Sequence, residues 1–256
     1  MSLIKLYNGD CLEVMNNIED HSIDMIFTDL PYATTNNSWD FMIDLDRLWA
    51  HYKRVIKKNG CIALWAQAPF SHILAVSNLK WYRYEWIIEK TRATGHLNAN
   101  KMPMKAHENV LLFSEGDGLP ETVQIFYNKL PTYNPQKTTG HKPVNNYIKH
   151  SDNSSNYGAV SNGICGGGQT DRYPRDVLHF SWDTQKLALH PTQKPLDACL
   201  YFVRTYTDEG DTLLDSCMGS GTIGVACKEL NRNFIGIELD ENNFYIANNR
   251  IINSDK

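Results

Sequence analysis

Asp29, Leu30, Pro31 and Tyr32 place an acid, a stiff turn and an aromatic ring in succession, a combination suited to chemistry on a planar amine. A carboxylate and a nearby main-chain carbonyl can accept both hydrogens of an exocyclic NH2 group, and the ring can stack on the heterocycle that carries it. The apolar run Ile23-Asp24-Met25-Ile26-Phe27 directly before them reads as a buried strand. Such a strand delivers the tetrapeptide to the carboxyl edge of a sheet, where open α/β folds keep their sites.

A second group of residues suits a nucleotide. Asp211 to Asp215 reads as a strand, Ser216 to Thr222 as a glycine turn, and the residues through about Leu230 as an apolar helix. Gly219 and Gly221 let the backbone approach a ligand, and the strand Phe234 to Ile237 ends at Glu238, an acid well placed for a ribose diol. Gly219, Gly221 and Gly224 also satisfy the G-x-G-x-x-G spacing of dinucleotide-binding folds, which raises a nicotinamide dehydrogenase as an alternative. Only one helix, about Glu241 to Ile252, follows Glu238, too little to complete a doubly wound domain begun here. The missing strands must come from the N-terminal half.

These motifs and their order resemble a known family. Asp29-Leu30-Pro31-Tyr32 resembles the D-P-P-Y motif of DNA amino-methyltransferases, with Leu30 at the first proline. Asp215 through Thr222 resembles their D-P-F-x-G-S-G-T cofactor signature, with Ser216 and Cys217 in place of Pro-Phe. Tyr7-Asn8-Gly9-Asp10-Cys11 resembles the N-terminal G-D-C/A segment, and His190 to Pro195 almost repeats H-P-T-Q-K-P. The catalytic motif precedes the cofactor motif, as in the β class.

The resemblance implies an α/β fold, a Rossmann-like methyltransferase sheet flanked by helices, in circularly permuted order and with an inserted target-recognition region. Residues 1–114 would form the catalytic half, 115–183 the insertion and 184–256 the cofactor half of the same domain. It further implies S-adenosylmethionine as cofactor and a flipped base of double-stranded DNA as substrate. Adenine N6 is favoured by the motif's initial Asp; cytosine N4 methylation, or a non-catalytic DNA-binding or regulatory protein retaining the fold, is the alternative. Carried over residue by residue, Asp29, Leu30, Pro31 and Tyr32 would hold the target amine and Asp10, with Cys11 beside it, the cofactor's adenine. Thr192 and Lys194 would hold the methionine part, Asp215 with Gly219, Ser220, Gly221 and Thr222 the central portion, and Glu238 the ribose. A homodimer and a cognate restriction enzyme are partners known in the family. Carbon-5 methylation of cytosine would need a Pro-Cys nucleophile, and no Pro-Cys dipeptide occurs.

Length and composition agree with one substantial core: 256 residues, 42% hydrophobic. The N-terminus runs straight into strand-like sequence with no basic segment and long apolar stretch, so a cytoplasmic protein without an anchor is expected. Six cysteines include no C-x-x-C pair, which argues against a zinc site and a disulfide framework.

The net charge of −4 is unevenly spread. Residues 80–194 hold 14 Lys and Arg against 10 Asp and Glu, while the remainder holds 11 against 19. Lys137, Lys142, Arg172 and Arg175 are the candidate phosphate contacts, interleaved with tyrosines that can face unstacked bases. The elements expected to position all this are a helix over 41–58 closed by Gly60, a strand 61–65 and a helix 69–79. Strands 81–88 and 107–113 follow, joined by a polar loop over 91–105. Turns dominate from 115 to 183, and 151–170, rich in Ser, Asn and Gly, is expected to be mobile without a partner. Pro195 opens a helix to about Thr207.

Overall fold

A computed structural model describes residues 2–32, 42–116, 130–149, 164–181 and 193–254. Its apolar runs become the strands β1 (Ile4–Asn8), β2 (Ile23–Asp29), β3 (Ile56–Ala66), β4 (Tyr82–Thr94) and β5 (Lys105–Phe113). After the short β6 (Tyr147–Lys149) and β7 (Ile164–Gly166) come β8 (Val177–Phe180), β9 (Thr212–Asp215) and β10 (Asn233–Glu238). Eight of them form one sheet in the order β1-β10-β9-β2-β3-β5-β4-β8. Neighbours pair in parallel except at β5, which runs antiparallel to both β3 and β4.

The helices are α1 (Cys11–Val14), α2 (Leu45–Val55), α3 (Phe70–Ser77), α4 (Leu196–Tyr206), α5 (Thr222–Glu229) and α6 (Glu241–Asn253). They cover both faces, which explains why β2 is apolar almost throughout rather than alternating. Phe27 packs with Phe202 and Ala226 on one face, and Ile26 with Leu48 and Tyr52 on the other. From β2 the chain moves outward to β3, and from β9 it moves the opposite way to β10. The crevice of an open α/β sheet lies at such a reversal, here between the carboxyl ends of β2 and β9, at Asp29 and Asp215.

Several elements depart from the sequence expectation. The helix ends at Val55, not Lys58, and Gly60 lies inside β3 rather than closing the helix. Lys57 pairs with Asp24 at 2.8 Å, and a bulge between the Ile23–Ile56 and Met25–Cys61 pairs accommodates the extra residues. Glycine is required there because a Cβ at position 60 would stand 2.9 Å from the Asp24 carbonyl. The strand expected to end at Ile88 runs to Thr94, which shortens the anticipated loop of 91–105 to residues 95–104.

Within the stretch 115–183, β8 joins the sheet edge, and only residues 135–175 form a compact unit of their own. That unit holds the antiparallel pair β6–β7 and a bridge between Thr138 and Arg172. The expected mobility of 151–170 falls largely on 151–163, outside the described residues. Among the described residues, no helix is long and apolar enough to cross a membrane, and no His, Cys, Asp and Glu cluster could hold a metal ion.

Candidate active site

The carboxyl ends of β1, β10, β9 and β2 bring four acids to one edge. A cavity of about 190 Å³ there is lined by Asp10, Asp29, Lys194, Asp215, Gly219 and Glu238, among others. The sheet order thus unites residues separated by up to 228 positions, Asp10 and Glu238, that the sequence could only assign one by one.

On the β9 and β10 side the glycine turn sets the geometry. Gly219 and Gly221 adopt φ of +51° and +74°, in the left-handed region that disfavours side chains. A Cβ at Gly219 would meet nothing within 4 Å, so its backbone lies open to the cavity; one at Gly221 would press on Ile251 of α6 at 2.9 Å. Arg250 fastens the turn by donating to the Ser220 carbonyl and to Thr222 Oγ1 at 2.8 Å. Glu238 accepts from the Gly219 and Asp240 amides at 2.8 and 2.9 Å, which leaves each oxygen a free lone pair.

Asp10 caps α1 by accepting from the Leu12 amide at 2.7 Å and remains exposed. Asp215 is buried and accepts from Thr28 Oγ1 at 2.6 Å and the Cys217 amide at 3.1 Å. Burial outweighs those bonds and pushes its carboxyl up to about 7. Ser216 and Cys217, the departures from the family motif, have partners of their own. Ser216 Oγ meets Tyr52 Oη at 2.6 Å, and the Cys217 thiol hydrogen-bonds the Cys11 thiol, which holds Cys11 below the usual thiol range and drives Cys217 above it.

On the β2 side, Asp29 ends the strand with its side chain 25% exposed. One oxygen accepts from Tyr32 Oη at 2.5 Å and the other from Lys194 Nζ at 3.0 Å. Lys194 also contacts Glu108 of β5 at 2.8 Å, and Glu108 in turn pairs with Lys90 of β4 at 2.7 Å. Charges therefore alternate along Asp29, Lys194, Glu108 and Lys90. Burial pushes the Asp29 carboxyl up against the pull of Lys194. Lys194 is held above the lysine range by its two carboxylates, although burial opposes its charge. Glu108 is buried too, yet its two lysines hold it below the ordinary range.

Tyr32 is half-buried, its ring stacked on Phe70 at 5.0 Å between centroids, and Leu30 is buried. Lys194 lies beside Asp29 and lines the same cavity as the residues assigned to the cofactor. Glu108 and Lys90 escaped the sequence reading, although an acid entering an apolar strand at His107-Glu108-Asn109 is an available signal. Thr192 lies outside the described residues.

The other candidates belong to the 135–175 unit. Lys137 pairs with Asp171 at 2.8 Å and sits 4.4 Å from the Tyr173 ring centroid. Arg172 is half-buried and donates to the carbonyls of Lys142, Gln169 and Asp171, a role inside its own unit. Lys142 and Arg175 are exposed.

Comparison with known proteins agrees with this architecture. The N6/N4 DNA methylase family is matched over residues 23–249. The chain belongs to that family. It is 26% identical over 266 residues to the type II methyltransferase M.HpaI of Haemophilus parainfluenzae, covering 96% of this chain and 74% of that one. It is also 26% identical to M2.MboI of Moraxella bovis, over 92% of this chain and 82% of that one. Among solved structures it resembles the M1.HpyAVI–SAM complex with a TM-score of 0.62 and 22% identity, covering 98% of this chain and all of the other. The cytosine-N4-specific PvuII DNA methyltransferase gives a TM-score of 0.69 at 14% identity, over 100% and 89% of the two chains. This DNA methylase therefore has the Rossmann-like methyltransferase fold, with β5 as its antiparallel strand.

Proposed function

We propose that this DNA methylase moves a methyl group from S-adenosylmethionine to adenine N6 of a base turned out of double-stranded DNA, at a specific site. The observation that carries the reading is Asp29, held at the mouth of the cavity between Tyr32 and Lys194. The cavity fits the cofactor: Gly219 presents open backbone, Glu238 has lone pairs for a ribose diol, and exposed Asp10 can accept from an adenine amine. Asp215 with Gly219, Ser220, Gly221 and Thr222 would hold its middle, with Cys11 beside the base. Bound S-adenosylmethionine supplies an electrophilic sulfonium methyl.

The chain's own residues prepare the amine. Its nitrogen is a poor nucleophile because the lone pair is shared with the ring, so positioning carries much of the catalysis. Asp29 and a carbonyl of the Leu30-Pro31 segment accept the two amine hydrogens and favour positive charge on nitrogen. Tyr32 offers a face to the extruded base, replacing stacking worth about 1–3 kcal/mol. Lys194 keeps Asp29 ionised although burial favours its protonated form, so that Asp29 can also take the proton released from nitrogen. Exposed Lys142 and Arg175 would meet phosphates, while Lys137 and Arg172 order the unit that carries them.

Sequencing of DNA from cells expressing the protein, with detection of modified bases, tests the reading. Methylated adenine at one recurrent site is expected. Methylation confined to cytosine N4 would overturn the choice of base, and unmodified DNA would overturn the activity.

A further inference from the structure

The antiparallel pair β4–β5 projects beyond the sheet at the same edge as Asp29. Lys90 on β4 is joined to the Asp29 network through Glu108 and Lys194, yet β4 continues four residues further, to Thr94. The ladder is irregular there, but Lys105, the partner of Thr94, stands five residues beyond Val110, the residue level with Asp29 through Trp65, so at about 3.3 Å per residue the tip rises roughly 16 Å above the site. Three strand spacings of about 4.8 Å separate β4 from β2, so the tip stands roughly 14 Å to one side, less than the full width of a DNA duplex engaged at Asp29.

The projection is ordered by its own bonds. Gly95 turns at φ +90°, the short helix His96–Asn98 follows, and the amides of Asn98, Ala99, Lys101 and Met102 find carbonyls within the tip. Lys105 braces the base of the tip against Gln67 and the Ala68 carbonyl at the end of β3. Leu97 is nonetheless 94% exposed and Met102 55%. With Met104, 37% exposed, they give one ordered tip three exposed apolar side chains, a local cluster rather than a lone surface residue. From residue 90 to 107 there are four Lys and Arg and no Asp or Glu, so the tip is basic as well as apolar.

Resting on the DNA methyltransferase reading, we propose that the 95–104 tip is a second DNA contact, distinct from the 135–175 unit. Leu97 packs into the base stack where the target base leaves it, and Arg92 and Lys101 meet the adjacent phosphates. Apolar wedges of this kind offset the loss of stacking when a duplex is opened, and basic neighbours release counterions.

The test uses the full chain and two duplexes carrying the site that sequencing reveals. One is fully paired; the other has an abasic residue opposite the target, which removes the pairing a wedge must help to break. Leu97→Ser is expected to lower kcat/KM on the paired duplex about tenfold and on the abasic one less than about threefold. Arg92→Ala with Lys101→Ala is expected to flatten the log–log salt dependence of binding by about 1.8, at 0.9 per phosphate contact. Unchanged S-adenosylmethionine affinity by calorimetry shows that the variants are folded. Equal losses on both duplexes, no loss on either, or an unaltered salt slope would overturn the tip contact while leaving the methyltransferase reading intact. Failure of the wild-type protein to methylate either duplex would instead count against that reading.

Discussion

Replacing Lys194 by Met removes the cation that links the partly buried Asp29 to the buried Glu108. Nζ lies 3.0 Å from Asp29 and 2.8 Å from Glu108. At an effective dielectric of about 20, a 3.0 Å pair is worth roughly 5.5 kcal/mol, and the 25% exposure of Asp29 reduces this to about 3 kcal/mol, or two pKa units. The carboxylate is the working form of Asp29, and burial already raises its pKa. Loss of Lys194 raises it further, so the acid limb of kcat/KM moves up by about two units. Lys194→Arg keeps the charge and holds the limb near its wild-type position.

The variant should also lose about 3–5 kcal/mol of stability at neutral pH, the usual cost of breaking a buried pair from one side. Because the pKa of folded Lys194 is raised, that stabilisation is fully present below the unfolded lysine value near 10.4 and fades only above it. Tritium transfer from labelled cofactor across a pH series measures the limb, and calorimetry measures cofactor affinity. An unmoved limb together with weakened cofactor binding would refute the reasoning and return Lys194 to the methionine carboxylate.

Asp29→Ala should abolish transfer and leave cofactor affinity within about threefold by calorimetry; near-normal turnover would remove Asp29 from the chemistry. Leu30→Pro, which restores the family residue, should keep activity within about tenfold, or 1.4 kcal/mol of barrier, in the same tritium assay. Asp215 binds its proton more tightly folded than unfolded, so wild-type stability should fall by up to about 4 kcal/mol as pH rises from 4 to 8. Asp215→Asn should flatten that slope in urea titrations. Lys137→Ala with Lys142→Ala should reduce the salt slope of DNA binding by about 0.9 without altering cofactor affinity, the share of Lys142, because Lys137 is paired with Asp171.

The parts legible in the sequence were those whose signal is local. The apolar run before Asp29 and the glycines at 219 and 221 announce strand ends and a turn through residue type alone. The extent of β3 was hidden because Lys57-Lys58-Asn59-Gly60 has the composition of a helix end, while a bulge lets the same residues continue a strand. β8 was missed because a four-residue edge strand carries little pattern. The link from Asp29 through Lys194 and Glu108 to Lys90 could not be read from spacing, since it is created by β5 inserting between β3 and β4. Lys194 illustrates the limit: its motif identified the neighbourhood, and the sheet order supplied its partners.

The central claim is that Asp29 directs methyl transfer to an exocyclic amine. It is tested most directly by incubating DNA with the protein and methyl-tritiated S-adenosylmethionine, then digesting to nucleosides and separating them. Label in N6-methyldeoxyadenosine with the wild-type protein, and none with Asp29→Ala, is the predicted result. Label in 5-methyldeoxycytidine, or equal label with both proteins, would contradict it.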